Sequence, residues 1–149
     1  MKKTFNFNTK IFFAFTTMFA LIGMVCAVTY KIDKKGTLSN VVNGSSVSRN
    51  KVEDTKTFGV GVVAKMIGVN NVTGSNAEGG IRVKTIAKRT TLGIVTNTQE
   101  IIVPVYRTTT NSSSALFKYT TETNKVKVTW ENWTGNTSFY ARFVAYDNV

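Results

Sequence analysis

Residues 125–146 read KVKVTWENWTGNTSFYARFVAY and hold both tryptophans of the chain. Apolar residues recur at every second position on each side of WTGN, which is the pattern of two half-buried strands joined by a turn. With Thr134 and Gly135 at the centre of the turn, the pattern predicts a hairpin with one continuous apolar face. The pairs predicted across this hairpin are Trp130 with Phe139, Val128 with Ala141, and Val126 with Phe143.

The two faces of the predicted hairpin differ in chemistry. Trp130 is predicted to lie in the core, because it is in phase with the valines of its strand and a slip of one residue would expose them all. Trp133 falls beside the turn, where it cannot easily share that core. The other face mixes cations with aromatic rings, as surfaces that bind glycans or nucleic acids do. Alternatively, Tyr140 and Tyr146 pack beneath a neighbouring strand or the N-terminal segment. The candidate binding face consists of Lys125, Lys127, Trp133, Tyr140, Arg142 and Tyr146.

The segments that precede this stretch show the same alternation. FGVGVVA at 58–64, GIRVKTIAK at 80–88 and ALFKYTT at 115–121 each have a period of two. Pro104 lies within the apolar run EIIVPVY at residues 100–106. This run is predicted to lie at a sheet edge or to contain a bulge, because proline donates no ladder hydrogen bond. Turns rich in Gly, Asn and Ser separate the segments. The sequence therefore predicts an all-β domain over residues 57–149, a single antiparallel β-sandwich or a small barrel of about six or seven strands.

The N-terminus has the layout of an export signal. Three lysines lie within the first ten residues, and the apolar run IFFAFTTMFALIGMVCAV follows them. Val25 and Ala27 fit the small-residue rule for cleavage, so residues 1–27 are predicted to be a helical signal peptide, with a retained membrane anchor as the alternative. Cys26, the only cysteine, leaves with this segment, and Val25 directly before it disfavours a lipid-modified cysteine. Residues 28–56 are polar and are expected to form a flexible arm.

The charge of the chain points to an anionic partner. Its 19 Lys and Arg residues against 8 Asp and Glu give a formal charge of +11. Removal of residues 1–27 takes away three lysines and no acid, which leaves +8 on 122 residues. The expected partners are an anionic cell-wall polymer, a glycan or an anionic membrane surface. The alternative is a solvated surface that only keeps the protein in solution. No feature of the sequence predicts an oligomeric state.

Residues suited to catalysis or metal binding are sparse. Histidine is absent, which removes the commonest general base and the commonest metal ligand. The acids are scattered singly apart from Glu53 and Asp54, and no two of them stand out as a glycosidase pair. The glycines of FGVGVVAK and AEGG do not join a strand to a helix, so they indicate no phosphate-binding loop. The sequence therefore predicts no enzyme, no cofactor, no metal site and no small-molecule substrate.

One segment carries a resemblance to other proteins. YRTTTNSSS at residues 106–114, followed by a strand pair and an aromatic C-terminal segment, resembles a pattern in small secreted Thr/Asn-rich β proteins of unknown function from Gram-positive bacteria. The resemblance covers only the C-terminal part of the chain. It implies secretion and a β fold, and it attaches no activity.

Charge, export signal and fold together favour one class of function. The sequence predicts a secreted, extracellular and wall-associated basic β-domain that binds the cell envelope, a polyanion or a glycan without catalysing a reaction. The alternative is a secreted bacteriocin-like or membrane-active antagonist, for which a basic domain would bind anionic lipid before it inserts. The two differ in whether they damage membranes.

Overall fold

The computed structural model describes residues 27–59, 61–106, 114–118 and 124–148. These ranges contain no helix that could cross a membrane. They contain nine strands, so the all-β prediction is confirmed, with more strands than expected. The strands are β1 (Ile32–Asn43), β2 (Ser46–Arg49), β3 (Lys51–Phe58), β4 (Gly61–Gly74), β5 (Ile81–Thr91), β6 (Ile94–Val105), β7 (Ser114–Lys118), β8 (Asn124–Asn132) and β9 (Thr137–Asp147).

The strands form two antiparallel sheets. One sheet has five strands in the order β2-β1-β9-β4-β7, and the other has four in the order β3-β8-β5-β6. The sheets face each other, since the ring of Trp130 in the four-stranded sheet lies 5.6 Å from the ring of Phe143 in the five-stranded sheet. Both sheets are open at their edges, so the described strands do not close into the small barrel that was the alternative.

The predicted C-terminal hairpin is wrong, because β8 and β9 belong to different sheets. β8 pairs with β3 and β5, whereas β9 pairs with β1 and β4. The link between them crosses from one sheet to the other and is held by a buried polar network. Asn132 Nδ2 donates to the Thr137 carbonyl at 3.1 Å, and Thr137 Oγ1 donates to the Thr134 carbonyl at 2.6 Å. The alternating pattern specifies which residues face inward, but the same pattern suits a hairpin and a crossing between sheets.

The apolar side chains of the opening stretch still meet, but across the core instead of along one sheet. Trp130 is fully buried, so its predicted place in the core is confirmed. Its neighbour Phe143 lies in turn 6.4 Å from Phe139, measured between ring centroids. Burial of these large rings supplies much of the hydrophobic stabilisation of a small two-layer domain. The largest fully buried side chains also include Phe58, Ile32, Leu38, Met66 and Ile81.

The segment expected to be a flexible arm is part of the fold, so that expectation was wrong for residues 32–56. β1 lies between β2 and β9, and β3 forms an edge beside β8. Few buried apolar side chains are needed to hold β1 in its sheet. Ile32 and Leu38 are buried, while most other residues of β1 are exposed. The backbone of β1 pairs with β9 over nine residues, from Ile32 to Asn40, and this pairing does not depend on composition. Residues 1–26 of the predicted signal peptide lie outside the described residues.

Asp147 ties the beginning of the domain to its end. Its Oδ2 lies 2.6 Å from Lys31 Nζ, and its Oδ1 accepts the Gly59 N–H at 2.7 Å. Burial raises the pKa of Asp147, but the hydrogen bonds from Lys31 and Gly59 and the charge of Lys31 together lower it by more, so the pKa lies below its usual value. The ionised carboxylate therefore stabilises the fold above the unfolded pKa, and this contribution is lost as the pH falls through the folded pKa.

We expect Asp147→Asn to cost about 1 kcal/mol at neutral pH and to flatten the fall in stability between about pH 5 and pH 2. The amide keeps an oxygen for the Gly59 N–H but loses the charge that faces Lys31. Urea unfolding followed by circular dichroism across this pH range measures both effects. An Asp147→Asn variant with the same pH dependence as the wild-type chain would contradict the assignment.

Candidate polyanion-binding face

The structure divides the predicted binding residues between two opposite surfaces. Lys125 and Lys127 alternate with buried valines of β8 and lie on the outer face of the four-stranded sheet. Tyr140 and Arg142 alternate with buried residues of β9, and with Tyr146 they lie on the outer face of the five-stranded sheet. The prediction of one shared face was therefore wrong, because it depended on pairing β8 with β9.

The residues on β9 take part in packing contacts with the beginning of the domain. Arg142 donates to both carboxylate oxygens of Asp33, at 2.7 and 2.6 Å. This bidentate hydrogen bond holds the pKa of the Asp33 carboxyl below its usual value. Arg142 also lies 5.2 Å from the ring of Tyr30, which in turn lies 6.0 Å from the ring of Tyr146. Tyr30, from the beginning of the domain, therefore packs against the ring of Tyr146. This agrees with the alternative in which Tyr146 packs against the N-terminal segment and does not form part of a binding face.

The outer face of the four-stranded sheet carries a second and larger set of cations. They project from three neighbouring strands, β3, β8 and β5. On β5 the cations alternate with Ile81, Val83 and Ala87, which are all buried. We call this set the basic face; its members are Lys51, Arg82, Lys84, Lys88, Lys125 and Lys127. The alternation GIRVKTIAK showed that Arg82, Lys84 and Lys88 share one side of a strand, but only pairing with β8 places them beside Lys125 and Lys127.

Acids neutralise only part of the basic face. Glu53 is shared by two cations, Lys127 at 2.9 Å and Lys51 at 3.4 Å. The hydrogen bond from Lys127, with the charge of Lys51, lowers the pKa of Glu53 and keeps it ionised. Lys84 lies 2.9 Å from Glu100. Among the described residues, no acid forms an ion pair with the remaining cations of the face, which are Arg82, Lys88 and Lys125.

Two lysines of the basic face lie directly opposite each other. Lys88 of β5 is the register partner of Lys127 of β8. Like charges at directly opposed positions destabilise a sheet. Glu53 offsets the charge of Lys127 but no described acid offsets that of Lys88. An anionic group bound between the two ammonium groups would relieve this repulsion.

A small depression is lined by both of these lysines. Its volume is about 150 Å³, and Ile86 and Thr129, which are register partners, contribute to its lining. This is smaller than the several hundred cubic ångströms of a typical small-molecule pocket, and its lining carries three lysines against two carboxylates. The residues around Ile86 and Thr129 are Lys51, Glu53, Lys88, Lys127 and Glu131.

A larger depression, of about 460 Å³, lies elsewhere, between residues 27–29 and the end of β9. Its lining contains one ionisable carboxylate, Asp147, which already contacts Lys31 and the Gly59 N–H. The side chain of Tyr146, which also lines it, lies against Tyr30 and Lys65. Asp147 and Tyr146 are therefore engaged in contacts that hold the fold, and the described residues of the lining bring no second ionisable carboxylate to this depression.

Trp133 borders the basic face and is held in a fixed environment. Its side chain is 42% exposed, which agrees with the prediction that it lies outside the core. Lys84 Nζ lies 4.3 Å and Arg49 Cζ lies 4.8 Å from the ring centroid, so two cations contact the ring. The indole N–H donates to Glu131 at 3.1 Å, and the backbone N–H donates to the Arg82 carbonyl at 2.8 Å. The ring and its cations are thus arranged before any ligand arrives, which lowers the entropic cost of binding.

Neither the described residues nor known proteins point to another kind of site. In the described part of the chain, no three His, Cys, Asp or Glu side chains come together as a group that could hold a metal ion. No protein-family model matches the sequence, and no curated protein or solved structure is detectably similar to it. The function must therefore be argued from the charges and contacts of this chain alone.

Proposed function

We propose that the protein is a secreted, non-enzymatic binding module whose basic face holds an anionic polymer of the cell envelope, such as a phosphate-bearing wall polymer or an acidic glycan. The single observation that supports this most is the opposed pair Lys88 and Lys127, set among four further cations on the same sheet face. Export by residues 1–27 and a place outside the cell belong to the same proposal.

The spacing of the cations suits a repeating ligand. Residues two apart on a strand are separated by about 7 Å, and neighbouring strands by about 4.8 Å. Arg82 and Lys84 are therefore one such step apart on β5, and Lys125 and Lys127 one step apart on β8. Successive anionic groups of an extended polymer can each meet one cation, while the partly exposed ring of Trp133 can contact an apolar sugar face. Binding of this kind is driven largely by release of counterions and weakens steeply with salt.

We expect the double variant Lys88→Gln/Lys125→Gln to bind anionic polymer roughly 10- to 100-fold more weakly at low salt, because two cations of the basic face are lost. Neither lysine has an acidic partner among the described residues, so folding should be preserved. The slope of log affinity against log salt concentration should fall by about 1.5. Adsorption to isolated Gram-positive cell walls, and to heparin as a defined polyanion, measures both quantities across a salt series.

The matched control is Lys35→Gln/Lys65→Gln, which removes the same charge from the outer face of the five-stranded sheet. It should bind within about threefold of the wild-type chain, since only the net charge has changed. Equal losses in the two double variants would show that net charge alone drives adsorption, and the basic face would then have no special role.

A membrane-active antagonist is the second candidate, and one observation favours it. Leu92 and Ile94 are apolar and highly exposed, at 98% and 70%. An antagonist would release dye from anionic vesicles at low protein concentration, whereas the binding module would adsorb to walls in a salt-reversible way without causing leakage. Leakage at concentrations that give no wall adsorption would overturn the order of the two candidates.

A further inference from the structure

The turn between β5 and β6 projects apolar side chains into solvent. Leu92 and Gly93 connect the strands, and Thr91 pairs with Ile94 across the turn. Leu92 is 98% exposed, Ile94 70% and Val95 53%. We call these three side chains the apolar tip. Scattered exposed apolar residues are common on proteins, but three within four positions at the end of a hairpin form a protruding apolar surface.

The backbone at the tip makes the choice of leucine unusual. Leu92 has a φ of +51° and Gly93 a φ of +82°, as the two central residues of a type I′ hairpin turn require. Gly, Asn and Asp adopt this conformation readily, whereas a bulky apolar residue rarely does. Leu92 is therefore unfavourable twice, once through its backbone conformation and once through its exposure to water. Neither cost is offset by a contact that the turn itself requires.

Cations surround the base of the tip. Lys88 and Arg89 precede Leu92 by four and three residues on β5, and Lys125 is the register partner of Thr90. At about 3.3 Å per residue, these positions lie about 7 to 13 Å behind the tip. Residues 87–99, which form this end of the hairpin, include no acid. An apolar end backed by cations at this depth matches the interface of a lipid bilayer, where apolar groups enter about 5 to 10 Å and cations meet the headgroups.

We infer that the apolar tip inserts into the surface of an anionic lipid bilayer, with Lys88 and Lys125 level with the phosphate headgroups. The two-residue turn makes the tip narrow and convex, a shape that enters a bilayer without needing a complementary groove. The segment of residues 87–99 carries two cations and no acid, which opposes a partner that needs negative charge on this protein and favours headgroup phosphates. This inference goes beyond polymer binding by the basic face, because the tip residues take no part in that proposal.

The test compares full-length chains on vesicles of phosphatidylcholine with phosphatidylglycerol. The variant Leu92→Asn/Ile94→Thr should partition roughly 10-fold or more weakly than the wild-type chain, since most of the inserted apolar surface is gone. Its fold should be kept, because Asn tolerates the positive φ at position 92 and Thr suits a strand. The matched control, Val41→Thr/Val47→Thr, removes two valines that are 54% and 53% exposed on β1 and β2. It should partition like the wild-type chain.

A second variant reports insertion even if another segment also holds the chain on vesicles. Compared with the wild-type chain, Ile94→Trp should show added tryptophan emission that shifts to the blue on anionic vesicles and is quenched by lipids brominated on their acyl chains. On vesicles of phosphatidylcholine alone the shift should be much smaller, because the cations have no anionic headgroups to meet.

If the emission added by Ile94→Trp stays unshifted and unquenched while the protein is bound to vesicles, the inference is overturned. Equal partitioning of the tip variant and its control would overturn it as well. The polymer assay changes only lysines and is scored on walls, so either proposal can fail without the other.

Discussion

Replacing Trp130 with alanine should lower the free energy of unfolding by about 3 to 5 kcal/mol, a large share of the stability of a small domain. The indole is fully buried between the two sheets and lies 5.6 Å from the ring of Phe143. Its removal leaves a cavity that β-sheet backbones on both sides cannot easily close. Urea unfolding followed by far-ultraviolet circular dichroism is the appropriate measurement, because the substitution also removes a tryptophan fluorophore.

Trp133→Ala is the matched control, since it removes the same side chain from the surface. The ring is 42% exposed, so its loss should cost about 1 kcal/mol or less, mainly through the contacts of Lys84 and Arg49. Polymer binding should weaken in this variant, while the slope of its salt dependence should stay unchanged because no cation is lost. Similar destabilisation by the two substitutions would contradict the division of the tryptophans into a core residue and a surface residue.

The alternating pattern of the sequence identified the fold class and the buried positions, but it did not identify strand partners. Val126, Val128 and Trp130 are buried as predicted, and so are the residues that were expected to face them. They meet across the core because each edge of β8 is taken by another strand, β3 on one side and β5 on the other. Which strand lies beside β8 depends on contacts between residues far apart in the sequence. An alternating pattern with a period of two is compatible with any neighbouring strand, so it does not identify the one that pairs.

Composition was also a poor guide to order in residues 32–56. The segment has few apolar residues, yet β1 pairs with both β2 and β9. A strand at this position needs only alternate buried residues, such as Ile32 and Leu38, because backbone hydrogen bonds and the neighbouring strands supply the rest. Asn50 adds to this: its side chain accepts the Ser39 N–H and donates to the Thr37 carbonyl. Such contacts join residues more than ten apart and leave no periodic signal in the sequence.

The candidate site was predictable in part. Lys125, Lys127 and Trp133 are among the predicted binding residues, and they lie on or beside the basic face. The other half of the predicted face, on β9, lies on the opposite surface, where Arg142 binds Asp33 across 109 residues of sequence. The cations of β5 were visible as one side of an alternating strand but could not be joined to β8 without knowing the sheet order. The spacing of charges along one strand is visible in the sequence. Which charges lie side by side on neighbouring strands can be known only from the register between those strands.

Gly74→Ala should cost about 3 kcal/mol or more, the largest effect expected of a substitution this small. Gly74 ends β4 with a φ of +118°, a conformation that residues with a side chain rarely adopt. An added Cβ would clash with the Asn136 carbonyl and lie 2.7 Å from Thr137 Cα. Both obstacles are backbone atoms, so no side chain can turn aside to make room. Urea unfolding measures the cost, with soluble yield as a second readout if the variant fails to fold.

The control for Gly74 is Gly68→Ala, in the same strand. Gly68 also has a positive φ, of +61°, but an added Cβ there would have no atom within 4 Å. Gly68→Ala should lower the free energy of unfolding by about 1 to 2 kcal/mol, which is the penalty of the backbone conformation alone. The remaining difference between the two variants measures the close approach of Gly74 to residues 136 and 137, where the chain enters β9 after crossing between the sheets. Equal costs would mean that the strand end can move away from the crossing, and that the contact between Gly74 and the crossing contributes nothing to stability.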